Sequence, residues 1–97
     1  MKENNVEENP GTPGSLFLVA TPVGNLGDLT ERAIQVLNRV DMIAAEDTRH
    51  TRKLLSYLSI HKRIISYYRE KEKEQAGKIL SILEEGKNVA LVSDAGT

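Results

Sequence analysis

Four short apolar runs constrain what this chain can fold into: "LFLVA" at 16–20, "DMIAA" at 41–45, "RIISYY" at 63–68 and "NVALV" at 88–92. They recur every 22 to 25 residues and are apolar nearly throughout, not at alternate positions. A half-buried antiparallel strand alternates, whereas near-continuous runs of this length mark parallel strands covered on both faces. The segments between them carry a helical period instead. Leu29, Ala33, Val36, Leu37 and Val40 make one stripe, with Thr30 or Asp28 able to cap its start. Leu54, Leu55 and Leu58 make a shorter one, and Ala76, Ile79, Leu80 and Leu83 a third, stopped by Gly86 as a suitable C-cap. The order βαβαβαβ predicts an α/β fold: an open parallel sheet with right-handed crossovers and helices on both faces.

The first 14 residues, "MKENNVEENPGTPG", have almost nothing to bury and are predicted to be a disordered leader, with the folded domain over 15–97. That leader lacks the apolar core of a signal peptide, and no run approaches the length of a bilayer span. Cysteine is absent, which removes disulfides and thiolate metal sites and fits a reducing cytoplasm. His50 and His61 are too few and too poorly partnered to suggest a metal centre, so no metal is expected. The net charge of −1 is unevenly spread. Residues 49–73 hold eight Lys/Arg against two acids, while residues 1–47 hold three against eight. A basic middle suits an anion or nucleic-acid surface, and also suits ordinary solvated helix faces.

Ligands of open parallel sheets sit outside the carboxyl ends of the strands, so the four strand exits are where chemistry is sought. The first, "ATPVGNLGD", has Gly24 and Gly27 for close backbone approach, yet it matches neither the dinucleotide nor the P-loop fingerprint. A substrate-facing loop and a plain βα turn both fit it. The second, "AAEDTRHTRK", places the adjacent carboxylates Glu46 and Asp47 directly after a buried run. Asp47 is a natural N-cap, and a proton acceptor at the same position is equally compatible. Arg49 and Arg52 share a face near that helix's start, where they oppose the macrodipole, and anion binding is one reason to keep them there. The third exit offers Tyr67 and Tyr68 for base stacking or core packing. The fourth, "LVSDAGT", combines Asp94 with small residues that let a ligand reach the backbone, or forms a simple turn. No Ser/His/Asp or Cys/His set is evident.

Taken together, "TPVGNLGDLTERAIQVL", "AAEDTRHTRKLL" and "ALVSDAGT" strongly resemble the ribosomal RNA small subunit methyltransferase I family, within the tetrapyrrole (corrin/porphyrin) methylase superfamily. The match covers about Leu16 to Thr97. Two departures stand out. The family continues its third exit as a His-Glu-His-Asn-like run, where this chain has Tyr68, Arg69, Glu70 and Lys71, so no role of those histidines carries over. The chain also stops at Thr97, inside a motif that continues in the family, which implies the N-terminal domain of a longer enzyme.

The resemblance implies strand order 3-2-4-1-5, with the fifth strand and a second domain lying beyond this chain. It implies S-adenosylmethionine as cofactor, held in part by Ser93, Asp94, Ala95, Gly96 and Thr97. Thr21, Pro22, Gly24, Asn25, Thr48, Arg49 and Arg52 are expected on the acceptor side, with Asp47 or Glu46 orienting or deprotonating a ribose 2′-hydroxyl. The implied reaction is 2′-O-methylation of a cytidine in 16S rRNA, on the small ribosomal subunit, by a cytoplasmic enzyme that is a homodimer when full length. No membrane is involved, and the fragment alone is expected to be inactive. Two rival readings are a methylase of precorrin or uroporphyrinogen, against which "AEDTRHT" speaks, and a flavodoxin-like nucleotide-binding or signalling module. A receiver-type module wants acids at the first exit, where this chain has Thr-Pro-Val-Gly.

Overall fold

The computed structural model describes residues 12–21, 26–67 and 72–94. Four parallel strands, β1 (Leu16–Thr21), β2 (Met42–Ala45), β3 (Arg63–Ser66) and β4 (Val89–Asp94), form one sheet in the order β1-β4-β2-β3. Read from the other edge this is 3-2-4-1, as the resemblance implied. Helices α1 (Glu31–Arg39), α2 (Thr48–Tyr57) and α3 (Glu72–Glu84) make the crossovers, with a short 3-10 turn at Leu26–Asp28 before α1. Among the described residues no helix is long and apolar enough to cross a membrane.

The steps from β1 to β2 and from β2 to β3 run one way across the sheet, and the step to β4 runs back. Right-handed crossovers then put α1 and α2 on one face and α3 on the other. Packing follows. On the first face Leu37, Val40, Leu54 and Leu55 close over Val19, Ile43, Ala45, Ala90 and Val92. On the second, Ile79, Ile82 and Leu83 lie against Met42, Ala44, Val89, Ile65 and Tyr67. β2 is buried along its whole length, as its continuous apolar run predicts.

Helix ends follow the local chemistry. Thr30 caps α1, its hydroxyl accepting from the Ala33 N–H at 3.1 Å. At the other end of α1, the Lys62 ammonium donates to the Asn38 and Val40 carbonyls, tying the β3 entrance to the orphan acceptors of the helix. α2 closes with the Ile60 N–H donating to the Leu55 carbonyl and Ser59 N–H to Ser56, which places Ser59 in the left-handed region at φ 58°. α3 closes the same way around Gly86 at φ 90°, as its sequence predicts.

Two expectations need correction. β1 is not covered on both faces by the described residues: Leu16 is 45% exposed and Leu18 78%. The strand lies at an edge of the described sheet, and α3 packs over its neighbours instead. The α3 stripe is also rotated. Gln75, Ile79, Ile82 and Leu83 face inward, while Ala76 and Leu80 are exposed. Gln75 is drawn in because its amide donates to the Ser66 carbonyl at 2.7 Å, satisfying a strand-end acceptor.

Of the leader assigned to residues 1–14, residues 1–11 lie outside the described residues. Gly14 is fastened to the fold: its N–H donates to the Leu83 carbonyl at 2.7 Å, and the next N–H, of Ser15, donates to the Asn88 side chain at 2.7 Å.

Candidate functional site

Where the direction of travel across the sheet reverses, a crevice opens outside the carboxyl ends of the strands. Here that point lies at the exits of β1, β4 and β2, which stand side by side. The β1/β4 register pairs Ala20 with Ser93 and Thr21 with Asp94, and Ala45 of β2 pairs with Val92. With neighbouring strands about 4.8 Å apart, the first and second exits flank the fourth at a separation on the order of 10 Å. The predicted cofactor segment is thus bracketed by the two predicted acceptor segments.

Thr21 is fully buried, and its hydroxyl donates to the Ser93 carbonyl at 3.3 Å. It fastens the first exit to the fourth, with no exposed surface of its own. Ser93 is exposed. Pro22, Gly24 and Asn25 of the first loop, and Ala95, Gly96 and Thr97 of the fourth, lie outside the described residues.

The second exit resolves an ambiguity that the sequence left open. Asp47 is the N-cap of α2, with Oδ1 accepting from the His50 N–H at 3.0 Å while its own carbonyl accepts from Thr51 N–H at 3.1 Å. Glu46 is exposed at the bend between β2 and α2, and among the described residues its carboxylate takes no hydrogen bond. The two adjacent carboxylates are both exposed but differ in their commitments: Asp47 is engaged at the helix start, and Glu46 is not. Thr48 is half-buried in the first turn of α2, and Arg49 and Arg52 are both exposed on its outer face. Tyr67 packs against the α3-side core, so its ring is not a free platform, and Tyr68 lies outside the described residues.

A feature that periodicity did not single out is Tyr57, 62% exposed at the end of α2. Its position on the Arg49/Arg52 face was its only signal. A separate depression of about 620 Å³ opens at the opposite, amino end of the strands, bordered by Asp41, Arg63, Lys78 and Lys87. Its charges are mixed, and none of the described predicted site residues borders it.

Comparison with known proteins bears on what this crevice does. The family described as Tetrapyrrole (Corrin/Porphyrin) Methylases matches residues 15–97. A protein named Ribosomal RNA small subunit methyltransferase I from Escherichia coli O157:H7 is 48% identical over 97 residues, all of this chain and 33% of that relative. Relatives of the same name from Micromonospora olivasterospora and Synechocystis sp. are 54% and 55% identical over 84 residues, 87% of this chain and 27% and 30% of theirs. The chain thus spans about a third of the length of the curated relatives it matches.

Proposed function

We propose that this chain, which belongs to the tetrapyrrole (corrin/porphyrin) methylase family, forms one wall of an S-adenosylmethionine-dependent methyltransferase that acts on the 2′-hydroxyl of a cytidine in 16S rRNA. The observation that carries the reading is the adjacency of the three exits, which sets the β4 exit between the β1 exit and the paired carboxylates of the β2 exit. The relatives' shared name supports ribosomal RNA of the small subunit as the acceptor and a cytoplasmic setting. Homodimerisation of the full-length protein belongs to the same reading.

Ser93 and Asp94, with Ala95, Gly96 and Thr97 continuing from them, are the residues that would hold the cofactor. The fit is chemical: an exposed hydroxyl residue at a switch point, on a strand end that Thr21 locks in place. S-adenosylmethionine, when bound, supplies a methyl group already attached to a good leaving group. What the protein must add is placement of the acceptor and a home for its proton. Placement alone is worth several kcal/mol when attacking and attacked atoms are held about 3 Å apart. Glu46 is the proton acceptor in this account, because its carboxylate is exposed and uncommitted among the described residues. Asp47, whose Oδ1 is engaged at the helix start, holds α2 and with it Thr48, Arg49 and Arg52 against the RNA.

The test is Glu46→Gln in the full-length gene product, assayed for transfer of labelled methyl to small ribosomal subunits. The account predicts a loss of about 10²–10⁴-fold in kcat with little change in KM. Retention of wild-type kcat excludes Glu46 as the base. Methylation of a precorrin in preference to the subunit supports the tetrapyrrole reading instead.

A further inference from the structure

On α2, Arg49, Arg52, Lys53, Ser56 and Tyr57 recur at i, i+3, i+4, i+7 and i+8, so they share one face of the helix. All five are exposed. The opposite face is anchored by Thr51, Leu54 and Leu55, which are buried in the core. The outer face therefore contributes nothing to holding the helix down. Its cations are also misplaced for helix stability, since positive charge in the first turns opposes the macrodipole. No acidic residue occurs from Thr48 to Arg69, so the nearest carboxylates in sequence, Glu46 and Asp47, lie before the start of the stripe and none lies along it.

Two shallow, open depressions lie on and beside this face. One depression of about 400 Å³ is bordered by Arg49, Arg52, Lys53 and Ser56. A second, also about 400 Å³, shares Arg52 and Ser56 and reaches His61. Lys62 borders it too, but its ammonium is spent on the α1 carbonyls. α2 starts one residue after Asp47, and its ten residues extend about 15 Å from the second strand exit. At the 3.4 Å spacing of stacked nucleotides, that is the length of roughly four.

We propose that the outer face of α2 is a track for single-stranded RNA flanking the methylated nucleotide, with Arg49, Arg52 and Lys53 on consecutive phosphates and Tyr57 as a platform for an unpaired base. The inference rests on the rRNA reading above and extends it along the helix. Cations sharing an exposed helix face with an aromatic ring are what a sequence-tolerant single-strand surface requires. A duplex hides its base faces and has no use for Tyr57. A lipid surface wants a broad apolar face, and here Tyr57 is the one large apolar-bodied side chain on the stripe.

The test uses the full-length gene product and a short fluorescein-labelled oligocytidylate, followed by anisotropy across a salt series. Tyr57→Ala is expected to weaken binding about tenfold, and Tyr57→Phe to restore it. The Arg52→Ala/Lys53→Ala double variant is expected to flatten the slope of log K against log salt by about 1.4, two phosphates' worth for a single strand. On duplex RNA, Tyr57→Ala should cost less than twofold, and an equal loss on duplex overturns the stacking role. If the wild type methylates small subunits but both variants bind oligocytidylate like it, the track is overturned and the rRNA reading stands. Tighter binding to phosphatidylserine vesicles than to oligocytidylate also overturns the track. A wild type that neither binds the oligonucleotide nor methylates subunits overturns both.

Discussion

Replacing Asp47 separates two jobs that the sequence alone could not tell apart. The carboxylate Oδ1 accepts from the His50 N–H at 3.0 Å, filling one of the four orphan donors at the start of α2. The first turn of α2 contains no acid, so Asp47 is also the charge that meets the positive end of that helix. Alanine removes both contributions: about 1 kcal/mol for the cap and about 0.3–1 kcal/mol for the charge. Asparagine keeps an acceptor at the cap and loses only the charge. At about 4–8 °C per kcal/mol for a domain of this size, Asp47→Ala should lower Tm by about 5–16 °C and Asp47→Asn by about 1–8 °C. Scanning calorimetry of the three proteins under matched buffer reads this directly. Methyl transfer by the full-length gene product supplies the second axis, on which Asp47→Asn should stay within about tenfold of wild type. Equal Tm values for the two variants would show that the cap is not what Asp47 provides. An inactive yet stable Asp47→Asn protein would move the proton-accepting role from Glu46 to Asp47.

Two further substitutions probe the frame that holds the site. A Cβ on Gly14 would stand 1.8 Å from the Lys87 carbonyl oxygen, so Gly14→Ala must push the segment off and break its bond to Leu83. The expected cost is about 1–2 kcal/mol, seen as a lower midpoint in urea with little change in slope. Ser59 sits at φ 58° where the closing bonds of α2 call for a left-handed residue, and Ser59→Gly should raise stability by about 0.5–1 kcal/mol in the same assay.

Much of this arrangement is legible in the residues. The apolar runs locate all four strands to within two residues, because each strand is apolar nearly throughout, even β1, whose second face the described residues leave bare. Thr30, Asp47 and Gly86 mark three helix ends through side-chain or backbone chemistry that acts within a few residues. What fails is what depends on distant partners. The α3 segment is apolar at Ala76, Ile79, Leu80, Ile82 and Leu83, a band too wide to fix which side faces in. The contact from Gln75 to Ser66, nine residues earlier, accompanies the inward turn that the stripe did not predict. The bare side of Leu16 and Leu18 follows from the edge position of β1, which no pattern within "LFLVA" records. At the site, spacing brought the carboxylates and arginines to one strand exit but left the division of labour between Glu46 and Asp47 open. Tyr57 was passed over because an exposed ring leaves no mark in the periodicity of a core.

The most direct test of the central claim is product analysis. The full-length gene product would be given S-adenosylmethionine with a trideuterated methyl group, small ribosomal subunits and a precorrin in one reaction, followed by mass spectrometry of the digested RNA and of the tetrapyrrole. The account predicts the heavy methyl on the ribose of a cytidine in 16S rRNA and an unlabelled precorrin. Label on the precorrin with none on the RNA, or on a base in place of the ribose, would contradict it.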